Sequence, residues 1–249
     1  GKYTSVTIGT DGFGLISYFD DSNDNLKVAH CSNVVCTSAT ISTLDFFSDV
    51  GRFNSLTLGA DGLGLISYFQ RNGATIFLKV ARCGNVQCTS VAASFLDSAS
   101  GVGSSETLTT SIALGVDGRG LISYSDGSRL KTAHCLSSPC TAAAIATLDN
   151  SATRTGMDNS LEIGPDGRGV ISYFSVGGVG TERLRVARCR DVDCASATFA
   201  TFDASLVVGT QTSMTIGADG FPLFSYHQFG NNDLKVVHCS NRFCLPFVR

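Results

Sequence analysis

Short segments dominated by apolar, β-branched and aromatic residues recur along the whole chain, and polar, glycine-containing stretches separate them. In the first fifty residues these segments are 5–9, 14–19, 26–31 and 38–44. None of them keeps a helical period, and their composition is that of β-strands. The Asp-Gly pair between the first two segments favours the tight turn of a β-hairpin. The pattern predicts four short antiparallel strands, which we name a, b, c and d in chain order.

The same four segments return four more times. The string DGFGLISY at Asp11 recurs in related form at Asp61, Asp117, Asp166 and Asp219, and each copy also contains a relative of LKVAHC. Five copies in 249 residues give about 50 residues per copy. Repeats of about 40–50 residues with four strands each are typical of β-propellers. The sequence therefore predicts an all-β, five-bladed β-propeller with four antiparallel strands per blade. We expect a single domain over 1–249, with blades of approximately 1–50, 51–106, 107–155, 156–208 and 209–249.

Ten cysteines form five pairs, one per copy, and each pair is spaced five residues apart across the predicted c–d hairpin. The pairs are Cys31 and Cys36, Cys83 and Cys88, Cys135 and Cys140, Cys189 and Cys194, and Cys239 and Cys244. Facing positions of a hairpin can approach the roughly 5.5 Å Cα separation of a disulfide. A shared zinc site is the alternative, but it needs four ligands from two neighbouring pairs, and outer hairpins of different blades should lie too far apart. We therefore expect one disulfide inside each blade, and a secreted, extracellular or cell-surface protein in an oxidising compartment.

Length variation between the copies is confined to two connections. The spacing from the strand-b Tyr to the strand-c Leu is 8, 10, 6, 11 and 8 residues, and the link from strand d to the next strand a also varies. In a four-stranded meander these two connections lie on the same face, which is the predicted ligand-binding face. The candidate ligand-binding residues of the b–c loops are Asp20, Asp21, Asn23, Gln70, Arg71, Asn72, Asp126, Arg129, Glu182, Arg183, His227, Gln228 and Asn231. Those of the d–a links are Arg52, Phe53 and Asp158.

Patterns of reactive residues have a structural explanation beside the chemical one. A Ser, a His and an Asp recur in the first and third copies, but Arg82 and Arg188 replace the His elsewhere and cannot act as bases. We therefore expect hydrogen bonding within each blade and no catalytic residues. The recurring basic residue of strand c could contact an acidic ligand, although the expectation is that it pairs with a cross-strand carboxylate or lays its stem over the blade edge. Each Asp-Gly turn offers one carboxylate, fewer oxygens than calcium usually takes, so we expect no cofactor or metal, with calcium as the alternative.

Composition narrows the range of partners. The formal net charge is −3 and 16% of the residues are charged, so the basic footprint of a protein that binds nucleic acid is missing. No apolar run approaches the roughly 20 residues of a membrane-spanning helix. We expect no nucleic-acid partner and no membrane insertion.

The repeating unit GxDGxGLISY…LKVAHC…C resembles the repeats of secreted bacterial five-bladed β-propeller proteins over nearly the whole chain. The blade number, the size and the near-identical copies are similar to those of tachylectin-type lectins, which bind N-acetylated sugars at several equivalent sites. This resemblance implies multivalent glycan binding. The predicted function is that of a secreted or surface, non-catalytic binding module and not an enzyme, with a glycan or another cell-surface ligand as its partner.

Two other functions compete with glycan binding. The last copy ends LPFVR, so its strand d is short, and an incomplete outer edge is a template for pairing with another chain. That edge favours self-association, as in a structural subunit of an extracellular assembly or filament. Five-bladed propellers also include arabinanase-type glycoside hydrolases, which need a pair of carboxylates. Few carboxylates stand outside the repeat pattern and the chain has no tryptophan to stack on a sugar, so a glycoside hydrolase is the least favoured function.

Overall fold

The computed structural model describes residues 1–102, 108–178, 182–203, 208–228, 232–241 and 244 of the chain. The regular structure of this part of the chain is β-strand throughout. Its strands are β1 (Lys2–Ile8), β2 (Gly14–Asp20), β3 (Asn25–Cys31), β4 (Ala39–Asp45), β5 (Val50–Leu58), β6 (Gly64–Asn72), β7 (Thr75–Cys83), β8 (Val91–Ala99), β9 (Thr110–Leu114), β10 (Gly120–Ser125), β11 (Leu130–Cys135), β12 (Ala143–Asp149), β13 (Arg154–Ile163), β14 (Gly169–Val176), β15 (Glu182–Cys189), β16 (Ala197–Asp203), β17 (Val208–Ile216), β18 (Pro222–Gln228) and β19 (Asp233–His238).

The strands pair in chain order into five antiparallel sheets. Four sheets contain four strands each, and the described part of the fifth contains β17, β18 and β19. In every sheet each strand pairs with the one that precedes it, as expected for a meander. The predicted fold class, an all-β five-bladed β-propeller, is confirmed. The short strand d predicted at 245–249 lies outside the described residues, and the predicted blade boundaries stay a prediction.

In the three middle sheets the second strand is buried over most of its length, whereas β2 and β18 alternate between buried and partly buried residues. All six residues of β10 are buried, and so are the first six residues of β6. The tyrosines of the repeated ISY motif, Tyr68, Tyr124 and Tyr173, are among the largest fully buried side chains. A strand that is buried on both faces reads as a continuous apolar run and not as an alternating one, which explains the repeated GLISY sequence.

The Asp-Gly turn between the first two strands is stabilised within each copy. In the first copy Gly12 has a φ of 81°, in the left-handed region, and Asp11 Oδ1 accepts a hydrogen bond of 3.1 Å from the N–H of Phe13. The N–H of Gly9 donates to the carbonyl of Phe13 at 2.7 Å and closes the hairpin. The constant spacing of this turn therefore reflects a local hydrogen-bonding requirement.

Each sheet contains one disulfide, as predicted. The bridges are Cys31–Cys36, Cys83–Cys88, Cys135–Cys140, Cys189–Cys194 and Cys239–Cys244. Their Cα atoms are 4.7–4.9 Å apart, and the second cysteine of each pair has a left-handed φ of 50–54°. No cysteine in the chain is free, so the zinc alternative is wrong. Five disulfides indicate an oxidising, extracellular environment.

Internal contacts divide the chain into two compact units. The first unit is Gly1–Ser104, Thr110–Ile122 and His134–Ala144, and the second is Ser105–Thr109, Ser123–Ala133 and Ile145–Arg249. Within the described residues, no helix is long and apolar enough to cross a membrane.

Candidate active site

The d–a links and the b–c loops, which form the predicted ligand-binding face, contact each other within both units. In the first unit the N–H of Val50 donates to the carbonyl of Asp24 at 3.0 Å. In the second unit the N–H of Thr155 donates to the carbonyl of Ser128 at 2.9 Å. Each of these links therefore crosses the b–c loop of its own blade before the chain enters the next first strand.

A glycine makes each of these crossings possible. Gly51 has a φ of 105°, and a Cβ there would lie 2.7 Å from the Cα of Leu26. Gly156 has a φ of 80°, and a Cβ there would lie 2.7 Å from the Cα of Leu130. Both the backbone conformation and the close approach exclude a side chain, so the link packs directly on the start of strand c.

The first strand of four sheets contains a left-handed residue at the same repeat position, two residues before the recurring strand-a Ser. The φ angles are 54° at Tyr3, 52° at Phe53, 47° at Asp158 and 54° at Gln211. In β13 the pairing register shifts around Asp158, between Met157 and Ser160, as in a β-bulge. Residues other than glycine rarely adopt this conformation. A β-bulge next to an active site often changes the direction in which a side chain points. Of these four side chains, Asp158 is the carboxyl-bearing one.

The backbone beside Asp158 is fixed by Asn159, whose exposed fraction is 6%. Its Oδ1 accepts a hydrogen bond of 2.6 Å from Ser123 Oγ, and its Nδ2 donates to the carbonyl of Gly156 at 2.9 Å. The same Nδ2 donates to the carbonyl and to Oγ1 of Thr109, at 3.1 Å and 2.7 Å. A buried amide that is satisfied on both sides holds the bulge in one geometry.

Strand β17 holds Asp158 from the other side. Thr212 Oγ1 donates a hydrogen bond to the carbonyl of Asp158, and Ser172 Oγ lies 3.2 Å from Thr212 Oγ1. The backbone N–H of Gln211 donates to the Asp158 carboxyl. Both the main chain and the side chain of Asp158 are therefore positioned by β17 as well as by β13.

Burial raises the pKa of Asp158 above the ordinary value of an aspartate, because the charged carboxylate loses hydration, and the N–H of Gln211 offsets only part of this effect. Burial likewise raises the pKa of Glu162, which lies four residues further along β13. No cationic side chain among the described residues lowers either pKa. Strand β13 therefore presents two carboxyl groups that stay protonated to higher pH than usual.

A carboxyl group whose pKa is raised by burial can act as a general acid at a higher pH than an ordinary carboxyl group. Asp158 combines the raised pKa with a bulge that sets the direction of its side chain. Glu162 does not complete a catalytic pair with it, because four residues of strand span about 13 Å. The paired carboxyls of glycoside hydrolysis lie roughly 5–9.5 Å apart.

The predicted b–c residues of the first blade bind one another and their own blade. Asp20 accepts a hydrogen bond of 2.8 Å from Asn23 Nδ2 and pairs with Lys27 Nζ at 2.6 Å. The hydrogen bond from Lys27, followed by that from Asn23, lowers the pKa of Asp20 to about 2. Asp21 pairs with Lys2 Nζ at 2.9 Å. These side chains close the loop.

The candidate residues Arg52 and Phe53 lie in β5. Arg52 pairs with Asp49, and its guanidinium carbon lies 4.6 Å from the centre of the Phe19 ring. The ring of Phe53 lies 4.2 Å from the ring of Tyr3, centre to centre. The equivalent of the Asp158 position is therefore occupied in the first unit by packed aromatic rings.

The remaining candidates of the first unit lie at the end of β6. Gln70 Nε2 donates to the carbonyl of Phe47 at 2.7 Å, and the N–H of Arg71 donates to the carbonyl of Asp49 at 2.9 Å. Asn72 is the last residue of β6. Two of the three therefore hold the d–a link against the second blade.

In the second unit the candidate Asp126 has an exposed fraction of 4% and organises its own turn. It accepts hydrogen bonds from the N–H groups of Ser128 and Arg129, at 3.1 Å and 2.8 Å, and from Arg129 Nε at 2.9 Å. Glu182 and Arg183 begin β15, and Glu182 Oε2 is a buried atom that has no hydrogen-bond partner within the described ranges.

The last candidates belong to the fifth blade. His227 and Gln228 end β18, opposite Leu234 and Asp233 of β19. Asn231 lies outside the described residues. The assignment of ligand binding to the candidate residues of both units stays a prediction.

The recurring His or Arg of strand c pairs with the aspartate of the Asp-Gly turn, which confirms its structural interpretation. His30 Nε2 lies 2.9 Å from Asp11 Oδ2, and in the second copy Arg82 pairs with Asp61. The corresponding pairs in the other copies are His134 with Asp117, Arg188 with Asp166 and His238 with Asp219. Histidine and arginine replace each other at this position because each places an N–H donor against the same carboxylate.

The recurring Ser and the closing Asp have other partners, so they form no triad with the His. Ser17 Oγ donates to Asn54 Oδ1 of the next sheet at 2.5 Å. Asp45 Oδ2 accepts hydrogen bonds from Tyr68 Oη, at 2.9 Å, and from Lys79 Nζ. These bonds join neighbouring blades, so the prediction of hydrogen bonding within each blade holds for the His and is wrong for the Ser and the Asp. Lys79 of strand c does pair with a carboxylate, but Asp45 belongs to the preceding sheet and not to a strand paired with β7.

Asp158 and Glu162 both belong to the few carboxylates that stand outside the repeat pattern, but the sequence does not single out Asp158, and Asn159 was not predicted. A usable signal was present in the repeats. The position two residues before the constant strand-a Ser differs in every copy, as Tyr3, Phe53, Thr109, Asp158 and Gln211. A position that varies inside a constant frame indicates specialised chemistry in one copy.

No protein-family model matches the sequence, and no curated protein matches it. Several solved structures of carbohydrate-processing enzymes have a similar fold. The α-L-arabinofuranosidase from Lactobacillus brevis matches with a TM-score of 0.58 at 8% identity, over 95% of this chain and 89% of that chain. The intramolecular trans-sialidase from Ruminococcus gnavus matches with a TM-score of 0.60 at 12% identity, over 89% of this chain and 52% of that one. The exo-β-1,3-galactanase from Clostridium thermocellum matches with a TM-score of 0.53 at 13% identity, over 96% of this chain and 58% of that one.

At such low identity the likeness shows the fold, and this chain spans less than two thirds of the last two enzymes. These neighbours contradict two predictions from the sequence: that the protein is a non-catalytic, multivalent binding module, and that it is not an enzyme. The low rank given to a glycoside hydrolase was wrong for the same reason. The near-identity of the repeats describes the scaffold, and it led us to overlook the one first strand, β13, that carries two carboxyl groups of raised pKa.

Proposed function

We propose that this chain is a secreted, carbohydrate-cleaving β-propeller in which Asp158 is the proton donor. The observation that carries the proposal is a carboxyl group of raised pKa in a left-handed bulge of β13, whose main chain is bound by Thr212 of the neighbouring strand β17. The likeness to an arabinofuranosidase, a galactanase and a trans-sialidase supports a glycoside as the substrate class. The five disulfides support secretion.

The chemistry assigned to Asp158 is general acid catalysis. The protonated carboxyl donates its proton to the glycosidic oxygen while the bond from that oxygen to the anomeric carbon breaks. The oxygen of a water molecule forms the new bond to the anomeric carbon, and the proton that this water releases to solvent balances the one that restores the Asp158 carboxyl. Catalysis of this kind needs an acid that remains protonated at the working pH. Burial of Asp158 shifts the carboxyl in the direction of this requirement, because it disfavours the charged form.

Asn159 and Thr212 are positioning residues in this proposal. Asn159 anchors the bulge through Ser123 and Thr109, and Thr212 binds the carbonyl of Asp158 itself. Neither needs to touch the substrate. Their effect is to keep the acid in one orientation, which matters because general acids act over hydrogen-bond distances.

The experiment is a hydrolysis assay of the oxidised protein on a panel of glycosides. The panel contains p-nitrophenyl α-L-arabinofuranoside, p-nitrophenyl β-D-galactoside, a methylumbelliferyl sialoside and β-1,3-galactan. We expect turnover of at least one substrate, and a loss of about 10²–10⁴-fold in kcat for Asp158→Asn, which keeps the shape of the side chain and removes its acidic proton.

Glu162→Gln is the matched control, since it removes another carboxyl of raised pKa from the same strand. We expect this variant to keep most of the activity, because the group lies too far along β13 to replace Asp158. Absence of turnover on every substrate by the folded, oxidised protein would contradict the proposal. Equal activity of Asp158→Asn and the wild type would contradict the role of Asp158.

A further inference from the structure

A second site of a different character lies in the first unit, at the seam between the first and second sheets. A cavity of about 520 Å³ opens there, bounded by the end of β4, the link that follows it, and strands β6, β7 and β8. Its apolar wall includes Leu44, Val91 and Ala93. A volume of this size falls in the range of small-molecule sites, which is roughly 300–1,000 Å³.

Three phenylalanine rings form the rim of this cavity and are exposed to an unusual degree. Phe46 and Phe47 stack on each other with ring centres 5.0 Å apart and an interplanar angle of 20°, and their exposed fractions are 66% and 65%. Phe95, across the opening, has an exposed fraction of 60%. Exposed aromatic rings grouped around a cavity indicate a binding site more than single exposed apolar residues do.

The polar groups at the base of the cavity already satisfy one another. Lys79 and Asp45 form an ion pair, and their side-chain exposed fractions are 5% and 4%. Lys79 Nζ also lies 3.3 Å from Gln70 Oε1, while Gln70 Nε2 donates to the carbonyl of Phe47. The positive charge of Lys79 is therefore neutralised by Asp45, and the hydrogen-bonding groups of Gln70 are used within the protein.

This arrangement selects the chemistry of the ligand. Among the described residues that line the cavity, the charged groups are Lys79 and Asp45, which already neutralise each other. A charged ligand would therefore lose hydration on entering the cavity without gaining an ionic partner. A sugar would bring many hydroxyl groups to polar side chains that are already paired. A flat, uncharged ring system would instead stack on the phenylalanines and bury apolar surface, with offset or edge contacts of the kind that aromatic pairs prefer.

We infer that this seam cavity binds a small, uncharged aromatic compound, through Phe46, Phe47 and Phe95. The inference goes beyond the proposed function and does not depend on it, since it concerns other residues and another kind of ligand. Saturable binding to the seam and glycoside turnover at Asp158 can each be present without the other.

The second unit supplies a matched seam in which the same base lacks the stacked pair of phenylalanines. Asp149 Oδ2 accepts a hydrogen bond of 2.6 Å from Tyr173 Oη and pairs with Arg185, just as Asp45 does with Tyr68 and Lys79. After Asp149 the chain continues with Asn150 and Ser151 where the first seam has two phenylalanines. Arg185 Nη1 donates to Ser151 Oγ at 2.8 Å, so this rim is polar.

The experiment compares two fluorescent probes that share a ring system and differ in charge. N-phenyl-naphthylamine is neutral, and anilinonaphthalene sulfonate carries a negative charge. We expect one equivalent of the neutral probe to bind with enhanced emission, and the sulfonate to bind at least about tenfold more weakly. The chain contains no tryptophan, so the emission of the probe is read without interference from that residue.

The double variant Phe46→Ser/Phe47→Ser tests the location of the site. We expect at least about a tenfold weaker affinity for the neutral probe, with an unchanged circular dichroism spectrum and thermal midpoint, because both rings are exposed. Phe199→Ser, which removes a partly exposed ring beside Arg185 at the second seam, is the control and should leave binding unchanged. Equal binding of both probes, undiminished binding by the double variant, or the absence of saturable binding would overturn the inference.

Discussion

Strands β5 and β13 are built on the same frame and present different chemistry. Each contains, near its start, a glycine with positive φ that packs on a leucine at the beginning of a strand c, Gly51 on Leu26 and Gly156 on Leu130. Each then contains a left-handed residue and a buried asparagine. The asparagine in each strand accepts a hydrogen bond from a buried strand-b serine and donates to the carbonyl of the glycine.

The difference between the two strands is confined to the positions that the frame leaves free. Where β5 has Phe53 and Thr57, β13 has Asp158 and Glu162. The phenylalanine packs on Tyr3, whereas the aspartate is a carboxyl of raised pKa. A propeller made of near-identical repeats can therefore place an acid in one strand while the other strands keep a packing role.

The largest expected effect concerns the shared asparagine. Asn159→Ala removes one accepted hydrogen bond and two donated ones, since the two Nδ2 protons are shared among three acceptors, and Asn54→Ala removes two bonds in all. At about 1 kcal/mol per bond, with buried partners left unsatisfied, we expect losses of about 3 kcal/mol and about 2 kcal/mol in the free energy of unfolding. Urea denaturation of the oxidised proteins measures both values. An equal or larger loss of stability for Asn54→Ala would show that the hydrogen bonds of Asn159 do not stabilise β13 more than those of Asn54 stabilise β5.

A smaller effect distinguishes Asp158 from Phe53, the two left-handed residues: only the contribution of Asp158 to the free energy of unfolding depends on pH. The folded-state pKa of Asp158 is raised, so the folded protein binds more protons than the unfolded chain between the ordinary pKa of an aspartate and the raised one. The free energy of unfolding therefore falls as the pH rises through this window. We expect Asp158→Asn to be more stable than the wild type at neutral pH and to lose this advantage at about pH 3.

Phe53→Leu is the control for that measurement, since a change between two apolar residues adds no titrating group to β5. Its difference in stability from the wild type should be the same at both pH values. A stability advantage of Asp158→Asn that persists unchanged at acid pH would mean that the Asp158 carboxyl is not held in its protonated form by burial.

The fold was predictable from the sequence because its determinants are local and repeated five times. The Asp-Gly turns and the cysteine pairs have constant spacings, which indicate hairpins. The hydrogen bonds and disulfides that stabilise these hairpins form within one copy. Partners between blades were not predictable in this way. The bond from Ser17 to Asn54 and the ion pair of Asp45 with Lys79 join residues of successive copies, and only the three-dimensional packing brings them together.

The site was harder to predict for the same reason. The length of the b–c loops and d–a links directed attention to loop residues such as Asp20 and Asp126, whose side chains are occupied by their own turns. Asp158 stands out only when burial, backbone conformation and the absence of a described cation around it are known together. The sequence shows only that its repeat position varies and that its carboxylate stands outside the repeat pattern.

The central claim, that Asp158 acts as a proton donor, is tested most directly by the pH dependence of kcat/KM on the best glycoside substrate of the panel. The account predicts that activity falls as the pH rises through a pKa above the roughly 3.9 of an ordinary aspartate. Glu162→Gln should keep this limb of the profile, and Asp158→Asn should lose it together with most of the activity. Activity that instead rises to a plateau at alkaline pH, or a falling limb that survives in Asp158→Asn, would contradict the account.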